Sequence, residues 1–232
     1  MKSIQTVPFR VGSRARHSAW FPAKVVDRPV GGVLKRTTDV VASALILVLL
    51  APLIAGLALL IHLSSPGGVF YGHWRVGHRN VPFRCFKLRT MVANGDEVLA
   101  RHFQAFPEAR AEWEETQKLR DDPRVTPLGR VLRKLSLDEL PQFWNVLRGD
   151  MSLVGPRPVP LDELTRYGRS ARFYLSARPG ITGLWQVSGR SNTTYLRRIA
   201  YDRVYVSKHS PGRDLVILAQ TLPATVRSSE TA

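Results

Sequence analysis

The sequence is poor in the residues from which several common functional sites are built. Cys85 is its only cysteine, which excludes an intramolecular disulfide and any metal site with several cysteine ligands. The six histidines never form an H-x-x-x-H pair, the spacing that places two zinc ligands on one helix face. Neither G-x-G-x-x-G nor D-x-D occurs, and GHWRVGH at 72–78 lacks the Lys-Ser/Thr ending of a phosphate-binding loop. These absences weaken zinc, dinucleotide and P-loop interpretations.

Acidic residues are also scarce. The chain of 232 residues has 18 acidic and 34 basic residues, which gives a formal net charge of +16. Such an excess implies an anionic partner, but charge alone does not choose among nucleic acid, phospholipid headgroups and phosphorylated substrates. The length allows one sizeable domain, or a small domain with an appendage, and is enough to bury a core.

One long hydrophobic run lies within this basic sequence. Residues 40–63, VVASALILVLLAPLIAGLALLIHL, contain no formal charge. As a straight helix the run would be about 36 Å long, which is enough to cross a bilayer. We therefore predict that membrane lipid is one of the partners of this protein.

The flanks and the middle of this run bear on how it meets the membrane. Basic residues lie on both sides, with Lys35 and Arg36 before it and Arg75 after it. Because positive residues mark the cytoplasmic side, two basic flanks disfavour a simple span. Pro52 lies in the middle, where its ring and missing N–H favour a bend. We predict a re-entrant helix that breaks at Ala51-Pro52, and an ordinary kinked transmembrane helix is the alternative.

The chain divides into three segments. Residues 1–30 are basic and aperiodic, and we interpret them as a flexible arm that rests on anionic lipid. Residues 31–65 hold the membrane helix, and residues 66–232 form the remaining domain. The pattern predicts a mainly α fold with a few short strands (α+β), in which amphipathic helices lie at the membrane interface.

Several local patterns support this fold class. Interleaved aromatic, apolar and basic residues predict short strands in 69–91, with turns near Gly77 and Asn80. Helical spacing predicts a helical pair in 96–119 that is interrupted at Pro107.

The C-terminal half adds a short helix, two loops and a last helix. LGRVLRKL at 128–135 predicts a basic amphipathic helix. MSLVGPRPVP and ARPGITGLWQVSGRS are dense in Gly and Pro and predict loops of fixed shape. The apolar stretch 215–226 predicts a helix, which we place at the membrane interface in preference to the core.

The stretch LSLDELPQ at 135–142 places two carboxylates, Asp138 and Glu139, side by side. Ser136 and Glu139 have the spacing of a capping box, which predicts the start of a helix that ends at Gly149. The alternative is chemical, since one carboxylate can attack phosphorus while its neighbour holds Mg²⁺. Adjacent helical residues point about 100 degrees apart, which suits two different tasks.

Basic residues in rigid loops are candidates to bind phosphate groups of a substrate. Arg157 lies between two prolines in GPRPVP, so its backbone is fixed while its guanidinium can grip a phosphate. Lys87 and Arg89 in FKLRTM, Arg178 in ARPG and Arg190 in SGR could add to such a cluster. The alternative for each arginine is a solvated surface charge.

Five stretches together carry a resemblance to a known family. They are KRTTDVVAS, VFYGHWRVG, FRCFKLRTM, LRKLSLDELPQFWNVLRGDMSLVGPRP and RPGITGLWQVSGR. In this order they resemble the bacterial sugar transferase family of polyprenyl-phosphate hexose-1-phosphate transferases, the small monotopic phosphoglycosyl transferases. The resemblance covers residues from about 31 to 225.

The resemblance implies an enzyme at the cytoplasmic face of the bacterial inner membrane. It implies transfer of hexose-1-phosphate from UDP-galactose or UDP-glucose to undecaprenyl phosphate, with release of UMP, as the first membrane step of exopolysaccharide synthesis. By matching position, Asp138 would carry the phosphosugar covalently and Glu139 would hold Mg²⁺. Two departures are Ala51, where many members have Ser, and His73, where many have Gln; the second leaves the choice of hexose open.

Two alternatives to a transferase follow from the charge and the hydrophobic run. A membrane-tethered nucleic-acid binder would use the basic residues and interleaved aromatics, and a non-catalytic scaffold of polysaccharide assembly would use neither carboxylate. The resemblance implies no nucleic acid among the partners. The sequence leaves a homodimer open.

Overall fold

The computed structural model describes residues 28–116, 119–189 and 194–228. Most of the predicted arm, residues 1–27, and Arg190 therefore lie outside the described residues. The described part is mostly helical, with two small sheets and one long N-terminal helix. This confirms the prediction of a mainly α fold with a few short strands.

The elements follow one another along the chain in an order that alternates helices with short strands. The helices are α1 Gly32–Ser64, α2 Gly95–Ala105, α3 Pro107–Thr116, α4 Pro127–Lys134, α5 Gln142–Arg148, α6 Leu161–Thr165, α7 Ala171–Leu175, α8 Leu184–Ser188, α9 Tyr195–Ser207 and α10 Pro211–Ser228. The strands are β1 Phe70–Val76, β2 Pro82–Leu88, β3 Ser152–Val154 and β4 Gly180–Thr182. Within the described ranges, 3₁₀ turns cover His78–Asn80, Leu137–Glu139 and Gly168–Ser170.

Helix α1 is long and apolar enough to cross a membrane, by length and composition. Only 6% of its most apolar 18-residue window is buried inside the protein. Pro52 lies inside the helix, which continues through it as α-helix, so the predicted interruption at Ala51-Pro52 is absent. A proline removes one backbone hydrogen bond and can bend a helix without ending it. Re-entry into the membrane therefore stays a prediction.

Both ends of α1 pack on the rest of the protein, whereas its middle does not. Near the N-terminus, Asp39 is buried and its Oδ1 accepts a hydrogen bond from the Leu153 N–H at 3.1 Å. Near the C-terminus, Leu57 and Ile61 are buried in a cluster with Leu132 of α4. No residue from 44 to 56 is buried. The rest of the protein therefore does not bury the apolar middle of the helix.

The predicted strands in 69–91 form an antiparallel hairpin. β1 and β2 pair from Phe70 opposite Leu88 to Val76 opposite Pro82, and a 3₁₀ turn at His78–Asn80 joins them. The predicted turn near Gly77 and Asn80 is therefore confirmed. The predicted helical pair is confirmed as well, since α3 begins at Pro107 directly after α2.

The capping box predicted at Ser136 and Glu139 is wrong. Ser136 has a left-handed backbone, with φ of 56°, and its side chain makes no capping hydrogen bond. The Glu139 carboxylate instead accepts a hydrogen bond from the Lys87 ammonium. The following helix α5 does end at Gly149, whose φ of 88° is the left-handed stop that was predicted.

The two Gly- and Pro-rich stretches that were predicted as loops contain a small parallel sheet. Ser152 pairs with Gly180 and Val154 with Thr182. Gly180 has to be glycine, since a Cβ at this position would collide with the Gly155 backbone of the neighbouring segment. Three-residue strands are too short to show alternation, so the sequence pattern did not reveal them.

Helix α10 confirms the predicted last helix and has both a core side and an exposed side. Ile217 is buried among residues of β3 and α9, while Leu215 and Val216 are 66% and 54% exposed. The Lys35 ammonium of α1 donates to the Asp214 carboxylate of α10 at 2.6 Å. The helix is thus attached to the base of the membrane helix, and the prediction of an interfacial helix in preference to a core helix is too simple.

Candidate active site

A cleft of about 820 Å³ opens beside the end of β2. Its walls come from the end of β2 and the segment that follows, from the start of α2, from α4 and from the 3₁₀ turn before α5. The charged side chains that line it are Lys87, Arg89, Asp96, Glu97, Arg124, Arg133, Asp138 and Glu139. Both predicted catalytic carboxylates therefore line the same open cleft as the predicted basic residues Lys87 and Arg89.

Lys87 brings the two carboxylates together. Its Nζ lies 2.6 Å from Oε1 of Glu139 and 3.5 Å from Oδ2 of Asp138. The Asp138 side chain is 10% exposed, whereas those of Glu139 and Lys87 are each 32% exposed. Asp138 is thus the more enclosed carboxylate, and Glu139 is the more accessible one.

The environment shifts the pKa of both partners. Burial raises the pKa of Asp138, the charge of Lys87 opposes this shift, and the charge of Glu139 adds to it. Burial acts to lower the pKa of Lys87, but the charges of Glu139 and Asp138 outweigh it and the pKa is raised. Lys87 therefore stays cationic at neutral pH and supports the ionised form of an enclosed carboxylate, which is the form that can act as a nucleophile.

Helix α4 holds the acid pair from one side. The Thr126 hydroxyl caps the helix by accepting from the Gly129 N–H at 2.9 Å. Gly129 packs on the Thr90 carbonyl so closely that a Cβ would collide with it. Arg133 donates from Nε to the Thr90 hydroxyl at 2.8 Å, and its charge acts to lower the pKa of Asp138. Arg133 was not predicted, although it lies in the basic stretch directly before the acid pair.

Asn145 holds the acid pair from the other side by connecting α5 to β2. It is fully buried, donates to the Arg84 carbonyl at 2.7 Å and accepts from the Phe86 N–H at 2.9 Å. The strand that carries Lys87 and the segment that carries Asp138 are thus fixed relative to each other. No signal in the sequence distinguished this asparagine from others.

Arg178 lies at the opposite end of α5 from the acid pair. It donates from Nε to the Gly149 carbonyl at 2.9 Å. Arg36 of α1 donates to the carbonyls of Val146 and Leu147 at 2.6 and 2.8 Å. Together the two guanidiniums bind the free carbonyls at the C-terminus of this helix. The predicted role of Arg178 in binding substrate stays a prediction.

Arg89 connects the cleft to the membrane helix. Its guanidinium donates to the carbonyls of Ser65 and Pro66 at 2.7 and 2.6 Å, directly after the end of α1. The same side chain lines the cleft. Arg89 therefore lines the same cleft as the acid pair, but its terminal nitrogens donate to backbone carbonyls, and its predicted role in binding substrate stays a prediction.

Arg157 does not line the cleft, but it lies close enough to Lys87 for the two charges to interact. Its side chain is exposed, and its guanidinium lies 5.6 Å from the centre of the Trp185 ring. Arg198 lies 4.5 Å from the centre of the same ring. After burial and the two carboxylates, the charge of Arg157 also acts to lower the pKa of Lys87, the lysine that binds the acid pair. Phosphate binding by Arg157 is compatible with this position.

The donor set at the cleft fits a partly built magnesium site. Among the residues that the structure describes, no group of three or more His, Cys, Asp or Glu side chains could hold a metal ion. Mg²⁺ commonly takes one or two protein carboxylates and completes its octahedron with water and substrate phosphates. Glu139, with Asp138 beside it, fits that pattern.

Comparison with known proteins assigns the family. A model of the family described as "Bacterial sugar transferase" matches residues 30–228. The chain belongs to the bacterial sugar transferase family. The resemblance predicted from the five stretches is therefore confirmed.

Curated relatives agree with this assignment. "Exopolysaccharide production protein ExoY" of Rhizobium meliloti is 53% identical over 201 residues, which cover 87% of this chain and 89% of the relative. "Undecaprenyl-phosphate galactose phosphotransferase" of Salmonella typhimurium is 49% identical over 195 residues, 84% of this chain and 40% of the relative. "UDP-glucose:undecaprenyl-phosphate glucose-1-phosphate transferase" of Caulobacter vibrioides is 42% identical over 211 residues, which cover 88% of this chain and 73% of the relative.

These relatives identify the class of enzyme. The chain is a phosphoglycosyl transferase of the family that serves exopolysaccharide synthesis. The alternatives of a nucleic-acid binder and of a non-catalytic scaffold gain no support from the comparisons.

Proposed function

We propose that the enzyme transfers hexose-1-phosphate from UDP-galactose or UDP-glucose to undecaprenyl phosphate and releases UMP. The observation that carries this proposal is the position of Asp138, which is enclosed at the cleft with Lys87 and Glu139 beside it. The names of the Salmonella and Caulobacter relatives supply the two hexoses and the lipid acceptor.

In the first step, an oxygen of the Asp138 carboxylate attacks the phosphorus that carries the hexose. A bond forms between this oxygen and phosphorus, the bond from phosphorus to the bridging oxygen breaks, and UMP leaves with the electron pair. The product is a phosphosugar joined to the aspartate as an acyl phosphate. Lys87 neutralises negative charge at the site, and Arg133 lines the same cleft from the side of α4.

In the second step, a phosphate oxygen of the lipid attacks the same phosphorus and the Asp138 carboxylate leaves. One phosphoanhydride has then replaced another, so the overall reaction is close to neutral in free energy. The enzyme contributes chiefly by positioning the reactants and neutralising their phosphates. We expect Arg157 to bind a phosphate of the nucleotide or of the lipid, since its fork is suited to bidentate contacts.

Mg²⁺, when bound, would neutralise the phosphates of the sugar nucleotide. Glu139 is the residue we propose to hold it, because its carboxylate is the more exposed of the pair and belongs to a donor set that substrate oxygens can complete. Lys87 would then share Glu139 with the ion and keep its contact to Asp138.

We further propose that α1 enters and leaves the membrane on its cytoplasmic side. Both ends of the helix are attached to one body while its apolar middle is exposed, and basic residues flank both ends. Exposed apolar side chains on two other helices fit an interfacial position. They are Val131 of α4 and, on α10, Leu215 and Val216.

Labelling of single cysteines tests this topology. Arg28 and Gly68 lie on either side of α1 and are exposed. With Cys85 replaced by serine, Arg28→Cys and Gly68→Cys should both resist a membrane-impermeant thiol reagent in intact cells and react after permeabilisation. Reaction of one position alone in intact cells would mean that α1 spans the membrane.

Identification of the released nucleotide tests the function. The solubilised enzyme is mixed with undecaprenyl phosphate, Mg²⁺ and either UDP-galactose or UDP-glucose. We expect UMP and a lipid-linked hexose phosphate from at least one donor. Release of UDP would indicate a glycosyl transferase instead, and no UMP from either donor would refute the proposal.

A further inference from the structure

One face of the β1–β2 hairpin leads from the acid pair to His73. Tyr71 pairs with Lys87 and His73 pairs with Cys85 across the two strands. Paired side chains share a face, and residues two apart on a strand share it too. The Tyr71 and Lys87 side chains line the cleft, and the His73 ring centre lies 6.3 Å from that of Tyr71. His73 is therefore the next side chain along from the cleft on this face.

The backbone fixes which nitrogen of His73 can accept a hydrogen bond. Nδ1 lies 2.9 Å from the Trp74 carbonyl oxygen. A carbonyl only accepts, so Nδ1 carries the proton and Nε2 of the neutral ring is an acceptor. The ring is exposed, and within the described part of the chain no second hydrogen bond to it is found. Neighbouring groups still remove part of the ring from water, and this partial desolvation and then the charge of Arg75 lower the pKa of His73, which favours the neutral form.

A ligand that forms a hydrogen bond with this neutral acceptor has to supply the donor. Lys87 and Arg75 act on His73 electrostatically, and they are the groups suited to phosphate oxygens. A phosphate ester at neutral pH offers chiefly acceptors, so it does not match Nε2. A hexose offers hydroxyl donors, and it is bonded directly to the phosphorus that Asp138 attacks.

The spacing along the strand also favours the hexose. Side chains two apart on a strand are separated by about 7 Å. His73 is therefore displaced from Tyr71 and Lys87 by about the width of one sugar ring, which is shorter than the reach to the uracil across a second phosphate and the ribose. The same displacement keeps His73 out of the chemistry at the acid pair.

We propose that Nε2 of His73 accepts a hydrogen bond from one hydroxyl of the transferred hexose and so contributes to the choice of hexose. This inference rests on the proposed function of the enzyme as a UDP-hexose transferase. A single neutral hydrogen bond should change kcat/KM by about tenfold. His73 would thus be a specificity-determining residue.

A set of donor analogues provides the test. UDP-hexoses in which one hydroxyl at a time is replaced by fluorine can no longer donate from that position. The wild-type enzyme should lose about tenfold in kcat/KM for one of these analogues beyond the loss seen for the others. His73→Phe should lose about tenfold with the parent hexose and show no extra loss with that analogue, as expected for a coupled pair.

Three comparisons make the test decisive. His73→Gln, which keeps an acceptor, should retain part of the discrimination, and Trp74→Phe on the opposite face should retain all of it. Inhibition by UMP should be equal in wild type and His73→Phe. A parallel rise in the UMP inhibition constant would place His73 at the nucleotide, and an unchanged analogue pattern would remove it from the hexose; either result overturns the inference. If wild type releases no UMP, the proposed function itself fails.

Discussion

Cationic side chains bind both ends of helix α5, but the groups that they bind differ between the two ends. Before the helix, Lys87 binds the carboxylates of Asp138 and Glu139 at the edge of an open cleft. After it, Arg36 and Arg178 bind backbone carbonyls. At the first end the partners are charged and accessible to ligands; at the second they are neutral and belong to the fold.

This difference distinguishes residues that take part in the reaction from residues that stabilise the fold. A carbonyl at a helix terminus is satisfied by one donor and needs nothing further. A carboxylate that is enclosed and close to another carboxylate has a raised pKa and is poised for a reaction or a metal ion. We therefore expect changes at the cleft end to remove activity, and changes at the other end to lower stability.

Asp138→Asn should produce the largest effect. Without a carboxylate oxygen to attack phosphorus, the rate of UMP release should fall by at least about a thousandfold. The measurement is initial rates with saturating UDP-hexose and lipid acceptor.

The same substitution should not lower the melting temperature of the free enzyme. Burial raises the pKa of Asp138 above its unfolded value, so ionisation of this carboxylate opposes folding as pH rises through the folded pKa. Removal of the charge should then leave stability equal or higher at neutral pH. Loss of activity in a variant that is also partly unfolded would not support Asp138 as the nucleophile. An active variant would contradict that role.

Lys87→Met should reduce kcat by about a hundredfold and move the pH profile. Lys87 acts to lower the pKa of Asp138, so its loss raises that pKa further. Because activity requires ionised Asp138, the acid limb of the profile should move to higher pH. Lys134→Met on the exposed end of α4 is the control. An unchanged acid limb would mean that Lys87 does not control the pKa of Asp138.

Arg36→Ala should mainly reduce stability. It removes two short hydrogen bonds to the C-terminal carbonyls of α5, which should cost about 2 kcal/mol in the free energy of unfolding. Arg148→Ala provides a matched control, since that side chain is 52% exposed and lies 3.5 Å from Asp150. The control should stay within about 0.5 kcal/mol. Denaturant unfolding of both variants checks the difference, and equal effects would contradict it.

Arg178→Ala gives the smallest expected effect and the sharpest distinction between the two ends. Loss of its single hydrogen bond to Gly149 should cost about 1 kcal/mol of stability. If Arg178 only supports the fold, KM for the UDP-hexose should stay within about twofold of wild type. A many-fold rise in KM with unchanged stability would instead restore the substrate-binding role predicted from the sequence.

The sequence predicted most of the fold because its elements have strong local signals. Interleaved aromatic, apolar and basic residues with turn residues predicted the short strands that form the β1–β2 hairpin, and helical spacing with Pro107 predicted α2 and α3. The signals failed where structure depends on distant partners. β3 and β4 are three residues each and are far apart in the chain. The capping box is absent because Ser136 has a left-handed backbone and makes no capping hydrogen bond, while Glu139 binds Lys87 from a distant strand.

The candidate site was predicted in part for the same reason. Asp138 and Glu139 do lie beside Lys87, which the sequence offered as one member of a cationic cluster near the acid pair. The sequence did not show which arginines would bind backbone carbonyls, because a guanidinium serves a phosphate and a helix terminus equally well. Asn145 and Arg133 were missed because their roles depend entirely on the packing of α4 and α5 against β2.

The most direct test of the central claim is intact-protein mass spectrometry of the enzyme after incubation with UDP-hexose and Mg²⁺, without the lipid acceptor. The account predicts a mass increase of one hexose phosphate, located at Asp138 by peptide mapping, with an equal amount of UMP released. Addition of undecaprenyl phosphate should remove the adduct, and Asp138→Asn should never form it. UMP that appears only when the lipid is present, with no adduct at any stage, would contradict a covalent aspartate.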